Sequence, residues 1–303
     1  MKKIAIMAAL AFAATASLAQ GVTVYGRMAE FVDSTKTGSA TVTSLVNDSS
    51  RFGIKAEEKL GNGLSARVVI ETTISADDPK AGAATQLGDR QSTVGLGSKF
   101  GSVDLGRKEH SQYITMKAAD PFVGATYASV SPDVINVRDK RIGDGVFLGT
   151  KAGPLTATFD RSMYTAATTA EATSWSLAGT MGPVTAAVAR FTTNADYTNV
   201  LTASGQVAGV TLSTVQSEDK TAGAVTKGRL YGATVPVPGT ALSVKGSYGT
   251  KTGVAASDVK AYNVGVNYAF SKRTNVLVAY RNVDAVGATN DVKQFGVGLV
   301  HAF

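Results

Sequence analysis

The clearest regularity in this chain is alternation. In "KAYNVGVNYAF" (260–270), Tyr262, Val264, Val266, Tyr268 and Phe270 fall on one side of an extended backbone, with Asn263, Gly265, Asn267 and Ala269 on the other. "NVLVAYRN" (275–282) repeats the pattern, with Val276, Val278 and Tyr280 against Asn275 and Arg281. "ALSVKGSYG" (241–249) sets Leu242, Val244 and Tyr248 against Ser243, Lys245 and Ser247. The last ten residues, "QFGVGLVHAF", set Phe295, Val297, Leu299, His301 and Phe303 against Gln294, Gly296 and Gly298. A period of two with one apolar side is the signature of a strand with one wet face. Beyond the N-terminal segment, no helical stripe of useful length competes with it.

Two kinds of connection separate these strands. Short turns carry Gly, Pro, Asn or Ser: "KLGNGL" (59–64), "SKFGSV" (98–103), "TKAGPL" (150–155), "TMGPV" (180–184), "GQVAG" (205–209), "PVPGT" (236–240) and "SKRT" (271–274). Longer polar connections fall roughly at 34–49, 75–89, 108–137, 163–172, 192–198, 217–226, 250–258 and 284–291. The two kinds alternate strictly, which predicts sixteen antiparallel strands with both chain ends on the short-turn side. Predicted strand lengths of about 7–12 residues suit a bilayer, which a tilted strand crosses in about 9–11. In hydrocarbon an open sheet edge leaves backbone groups unpaired at several kcal/mol each, so the sheet has to close. The fold class expected is therefore all-β, a 16-stranded antiparallel transmembrane barrel. "QFGVGLVHAF" would be its closing strand, paired with "VTVYGRMAEFV" (22–32). Phe303, Phe270, Tyr262, Tyr280 and Tyr248, near strand ends, suit the aromatic girdles of such a wall. A soluble all-β protein with aromatic core residues is the competing reading; the two connection classes count against it.

Composition changes the picture in three places. "MKK" followed by the apolar "IAIMAALAFAATASLA" reads as a signal peptide over residues 1–19, with Ser17 and Ala19 meeting the small–x–small rule. The expected barrel domain is 20–303. The run is too short for a membrane anchor. There is no cysteine, so no disulfide framework is available in an oxidising compartment. Loss of Lys2 and Lys3 takes the net charge from +7 to +5, with basic residues scattered singly and no nucleic-acid arm. Mean hydropathy of +0.06 fits a lipid-facing strand wall and a soluble protein equally, so periodicity decides.

Five strings are similar to the general porins of Gram-negative outer membranes: "GVTVYG" (21–26), "SRFGIKAEEKLGNGLSA" (50–66), "RQSTVGLGSKFGSVDLGR" (90–107), "FSKRTNVLVAY" (270–280) and "GVGLVHAF" (296–303). The resemblance runs through most of the mature chain and implies a homotrimer of sixteen-stranded barrels. It also implies a third external loop folded into each pore and a basic wall facing that loop. Phe303 resembles the family's assembly signal, read by the outer-membrane barrel-insertion machinery. Two departures stand out. The Asp that commonly follows the first-strand "YG" by three residues is Ala29 here, with Glu30 next. The third loop, "KEHSQYITMKAADPFVGATYASVSPDVINV" (108–137), lacks the Trp-Gly-Gly and Pro-Glu-Phe-type strings and carries only Glu109, Asp120 and Asp133 as acids.

Strand parity selects the candidate pore residues, because lumen and lipid positions alternate. Phe52, Ile54 and Ala56 face out, turning Arg51, Lys55 and Glu57 inward; Leu64, Ala66, Val68 and Ile70 face out, turning Arg67 and Glu71 inward. Lys245 and Arg281 share the inward parity, and Arg27 is assigned there within a mixed pattern. Arg138 and Arg141 stand at the root of the third loop with opposite parity. Arg90 shares parity with Val94 and Leu96, so it reaches the lumen only from the strand's start or a bulge. With Glu109 and Asp120 from the loop, these form the expected constriction. Arginine suits anion attraction because it stays charged and offers a planar fork to carboxylate or phosphate. The competing reading has several arginines paired with Glu57, Glu58 or Glu71, or holding lipopolysaccharide phosphates.

Enzymatic readings lack support. His110 stands alone at the start of a loop and reads as solvated; His301 falls on the outward face. No GxSxG, HExxH or P-loop string occurs. "GLGSKFG" (95–101) is a hairpin rather than a dinucleotide site. Asp77–Asp78 and Glu218–Asp219 read as solvated loop acids, so no metal and no cofactor is expected. The function expected is a non-enzymatic outer-membrane channel for small hydrophilic solutes and ions, preferring anions and surrounded by outer-membrane lipid and lipopolysaccharide. A channel selective for phosphate or small carboxylates is the alternative within the class. A non-channel barrel, an adhesin or structural protein, is the alternative outside it.

Overall fold

The computed structural model describes residues 21–77, 86–123, 127–136, 138–163, 171–253, 258–285 and 291–303. The signal-peptide segment 1–19 and Asp78 lie outside the described residues. The described chain forms one antiparallel sheet from β1 (Thr23–Thr37), β2 (Ala40–Asn47), β3 (Arg51–Gly61), β4 (Leu64–Thr73), β5 (Gln91–Ser98) and β6 (Gly101–Glu109). It continues through β7 (Arg141–Ala152), β8 (Leu155–Ser162), β9 (Ala172–Met181), β10 (Val184–Thr193), β11 (Asp196–Val207) and β12 (Val210–Thr221). It ends with β13 (Ala224–Pro236), β14 (Leu242–Gly253), β15 (Val259–Ala269), β16 (Thr274–Ala285) and β17 (Val292–Ala302).

The sheet closes on itself: β17 pairs with β16 and, from Arg27↔Ala302 to Thr37↔Val292, with β1. Gly26 and Phe303 complete the seam by exchanging both backbone hydrogen bonds, at 3.0 and 3.1 Å. Both β2 and β3 pair with β1, so they are two lengths of one stave, broken at residues 48–50. The barrel thus has the sixteen staves that the connection classes predict. At the break Ser49 takes a φ of 59°, yet Ala29 loses no hydrogen bond. Its carbonyl accepts from the Asp48 N–H at 2.9 Å and its N–H donates to Ser50 Oγ at 2.9 Å.

Three of the expected long connections are instead tight hairpins. In 34–49, 192–198 and 217–226 the strands run on and turn within two residues, at 38–39, 194–195 and 222–223. Left-handed φ values at Gly38 (59°), Asn194 (50°), Ala222 (49°) and Gly223 (83°) make these turns. Polarity there marks contact with water, not the end of pairing; Thr and Val keep the backbone extended.

Along each stave, exposed apolar side chains alternate with buried or polar ones. On β15, Tyr262, Val264, Val266 and Tyr268 are exposed while Ala261, Asn263 and Gly265 are buried. On β17, Phe295, Val297 and Leu299 are exposed while Gly296 and Gly298 are buried. His301 is exposed on that outward face, its Nδ1 2.9 Å from Thr274 Oγ1.

The segment between β6 and β7 packs on the opposite face, away from this apolar exterior. Its helix α1 (Ser111–Ala118) lies against β8–β11, and its short helix α2 (Ser131–Val134) against β13–β15. Tyr113, Met116, Val130, Val134 and Ile135 form one core with Val200, Val215, Leu230 and Ala261. Those strand residues neighbour the exposed Leu201, Tyr231 and Tyr262, which fixes the face the segment covers. At the seam the Tyr127 ring stacks on Phe31 at 4.0 Å and 12°, and Phe122, Ala128 and Ala279 join them.

Candidate functional site

A cavity of about 980 Å³ lies between the β1–β7 wall, the α1 segment and the facing strands β14–β16. Its lining is uneven in charge. Among the described residues, Arg27, Arg51, Arg67, Arg90, Lys108, Lys117, Lys140, Arg141, Lys245 and Lys272 stand against Asp48, Glu71, Asp104 and Glu109, ten cations to four carboxylates.

The imbalance arises because carboxylates are shared. Glu71 takes Arg90 Nε at 2.7 Å and Arg51 Nε at 3.6 Å, and its Oε2 accepts from Tyr25 Oη at 3.1 Å. Asp104 takes Arg67 through two parallel bonds, 2.7 and 2.9 Å, and Lys108 Nζ at 2.5 Å. Glu109 pairs with Lys117 and, at 3.3 Å, with Arg141. Each trio keeps one net positive charge. Partly exposed ion pairs of this kind contribute only about 0–1 kcal/mol. Their effect is to fix where guanidinium groups point. Arg27 and Arg51 even sit directly opposite in register, a like-charge arrangement that costs stability in a sheet. Asp48 offsets it from the stave break, pairing with Arg27 at 2.8 Å while its Oδ1 accepts the Tyr127 N–H at 2.8 Å.

Local sequence explains these positions. Arg67 on β4 reaches Asp104 on β6 over β5, because the residue between them in register is Gly95. A Cβ at Gly95 would collide with Asp104 Oδ1. Lys108 follows a register shift after Gly106, whose φ is 125°. Arg90 precedes β5, so it comes in from the strand's start. Its N–H donates to the Glu71 carbonyl at 3.2 Å.

The sequence-selected residues separate into two groups. Arg27, Arg51, Arg67, Arg90, Arg141 and Glu109 meet at the cavity. Lys55, Arg138 and Asp120 do not line it. Lys55 lines a smaller recess with Glu57, Glu58 and Lys59, its ammonium 6.0 Å from the Tyr25 ring. Arg138 is held against the wall by Asp219 at 3.0 Å and Asp196 at 3.4 Å. Asp120 is buried inside its own segment, accepting from Ser129 at 2.7 Å, from Ser131, and from the Phe122 N–H at 2.8 Å. Arg281 turns inward to Asp133 at 2.5 Å. So Asp120 and Asp133 are engaged, and the segment offers the cavity Lys117 with Tyr113, Ile114 and Phe122.

Asp104, Lys108, Lys117 and Lys140 escape the sequence reading. Alternation with Val103 and Leu105 would have turned Asp104 inward; the others lie in a bulge or off the strands. Lys140 has no ion pair among the described residues. Partial desolvation first, then the guanidinium groups of Arg141 and Arg90, push its ammonium below the ordinary lysine range.

His110 corrects the expectation of a solvated loop residue. It is buried, stacked on Phe191 at 4.2 Å, and caps α1. The Tyr113 N–H can only donate to Nδ1, at 3.3 Å, so the ring proton sits on Nε2 and is donated to the Asp139 carbonyl. Burial lowers the imidazole pKa from 6.5 to about 4.

A closed antiparallel barrel of sixteen staves with an apolar exterior and a polar inner wall defines a membrane-spanning β-barrel. A family model described as Gram-negative porin matches residues 5–302, and the chain belongs to that family. Major outer membrane protein P.IB of Neisseria meningitidis serogroup B (serotype 15, strain H44/76) is 35% identical over 116 residues, covering 35% of this chain and 34% of that protein. Major outer membrane protein P.IA of N. meningitidis serogroup C is 36% identical over 88 residues, 29% of this chain and 22% of that one. The matched region thus spans about a third or less of these relatives' length. The anion-selective porin from Comamonas acidovorans superposes with a TM-score of 0.78 at 24% identity, over 93% of this chain and 99% of that one. Salmonella typhi OmpF, in complex with daunomycin, gives 0.75 at 17% identity over 93% and 97%. At these identities the superpositions show a shared fold. Family, relatives and barrel together place the chain in the Gram-negative outer membrane.

Proposed function

We propose that the chain forms a passive channel for small hydrophilic solutes and ions with a preference for anions, and that its α1–α2 segment narrows the lumen at the cationic cavity. The observation that carries this reading is the lining of ten cations and four carboxylates among the described residues. Lys117 and Lys245 extend the positive charge beyond the arginine wall, so a solute meets cations from more than one side. In a low-dielectric passage such a field raises local anion concentration by roughly ten-fold or more. No step requires a cofactor or a catalytic group. Family membership supports a homotrimer in outer-membrane lipid, and Phe303 as the residue read by the barrel-insertion machinery. Purified protein in planar bilayers should give discrete conductance steps; a protein that seals the bilayer without steps would overturn the channel reading.

A further inference from the structure

The cationic wall of the cavity meets hydrocarbon at the barrel seam. Leu277 on β16, Val300 on β17, Arg27 on β1 and Arg51 on β3 stand on four successive staves and all line the cavity. Val300 pairs with Asn275 on one side and Ala29 on the other, so Leu277 and Arg27 are its diagonal neighbours. Each diagonal step spans about 7–8 Å, and Arg27 and Arg51 are directly opposite. The row therefore passes from two aliphatic side chains to two guanidinium groups along one slanting line.

The segment between β6 and β7 enlarges the aliphatic end. Phe122 packs with Leu277 and Val300, and a Cβ at Gly265 would come within 3.1 Å of both Phe122 and Leu277. Packing of the segment accounts for those three. It does not account for the next residue, Val123, which lines the cavity and is 54% exposed. Its φ is 58°, a conformation that a β-branched residue rarely adopts and that glycine takes without strain. The Val123 N–H donates to the Asp120 carbonyl at 2.8 Å, which fixes the turn. A strained backbone here holds a bare isopropyl group in the lumen, the kind of outlier that marks a functional surface.

The two guanidinium groups differ in availability. Arg27 is tied to Asp48 at 2.8 Å. Arg51 approaches Glu71 only to 3.6 Å, and Glu71 holds Arg90 more closely, at 2.7 Å. Arg51 is thus the more open of the two to an incoming anion.

We propose that this junction is a binding station for carboxylates that carry a compact apolar body, a ring or a branched chain. The inference rests on the channel reading above and adds a solute class to it. The carboxylate takes the fork of Arg51, while Val123, Leu277 and Val300 cover the body. Transfer of that body from water onto hydrocarbon is a driving force that a small hydrophilic anion of equal charge lacks.

The test is block of potassium chloride current through the purified channel in a planar bilayer near neutral pH. Three probes are added in turn: acetate, cyclohexanecarboxylate, and cyclohexylmethanol, which has the same body without the charge. Cyclohexanecarboxylate should block saturably, with a half-blocking concentration about ten-fold or more below that of acetate. Cyclohexylmethanol should not block. Val123→Gly suits the turn's φ and preserves the fold, and it should reduce the acetate-to-cyclohexanecarboxylate ratio about three-fold. Leu277→Asn should act in the same direction, and Arg51→Gln should weaken block by both anions. Equal half-blocking concentrations for the two anions, block by the alcohol at the concentration that suffices for the acid, or an unchanged ratio in both Val123→Gly and Leu277→Asn would each overturn the proposal. A conducting, anion-preferring channel that fails to separate the two acids refutes this inference alone. A parent that does not conduct refutes the channel reading and this inference with it.

Discussion

Arg67 stands beside Glu57 in the β3–β4 register, yet its guanidinium goes to Asp104 on β6. Two parallel bonds to a buried carboxylate outweigh one contact to an exposed neighbour. That choice leaves Lys108 sharing the same acid, and the sharing is the source of the positive lining. Arg67→Ala and Arg51→Ala should each lower the anion-to-cation permeability ratio by about two-fold, read from reversal potentials; unchanged ratios in both would mean that paired arginines do not set the field. Alternation could assign a face to Arg51, Arg67 and Glu71 because each belongs to a strand. It could not read His110, whose partners Ser174, Phe191 and Asp139 lie far along the chain. His110 also yields a pH prediction. Its folded pKa of about 4 lies below the unfolded value near 6.5, so the unfolded state binds more protons between them. The stabilising contribution of the neutral ring is complete above pH 6.5 and declines toward pH 4, by about 3 kcal/mol in all. Protection factors of the α1 amides, with the intrinsic pH dependence of exchange divided out, should therefore fall as pH drops through that window. In His110→Asn the baseline should be faster and this slope absent; a parent with flat protection would contradict the cap assignment.

At the scale of elements, the α1–α2 segment is held at several separate points. Asp48 at the stave break holds both Arg27 and the Tyr127 N–H, and Tyr127 stacks on Phe31. The last strand makes room for that stack. A Cβ at Gly298 would run into the Phe31 ring, and one at Gly296 into Tyr127 Oη. Gly298→Val should cost about 1–3 kcal/mol by overpacking and make single-channel current noisier as Tyr127 loses its seat; wild-type noise and thermal stability would refute this. The staves themselves were legible from period two and turn residues. The break at 48–50 was not, because Asp48 there accepts from the Tyr127 N–H, 79 residues downstream. The three tight hairpins were not legible either, because their polar strands carry no facial contrast to mark them.

For the whole molecule, closure between β1 and β17 is the organising contact, and Phe303 pairs directly with Gly26 at the seam. Deleting Phe303 should reduce assembly in cells far more than it alters the conductance of the channels that do form; equal effects would assign Phe303 a pore role instead. The number of staves followed from alternating connections alone. The net field did not, since it depends on which of many scattered charges share a partner, a property of the closed sheet. Screening shortens that field to about 8 Å at physiological ionic strength, so selectivity should weaken as salt rises. The most direct test is therefore the reversal potential of the purified channel in a planar bilayer with a low-ionic-strength potassium chloride gradient. An anion-preferring potential that shrinks with added salt is predicted; a zero or cation-preferring potential at low salt would contradict the account.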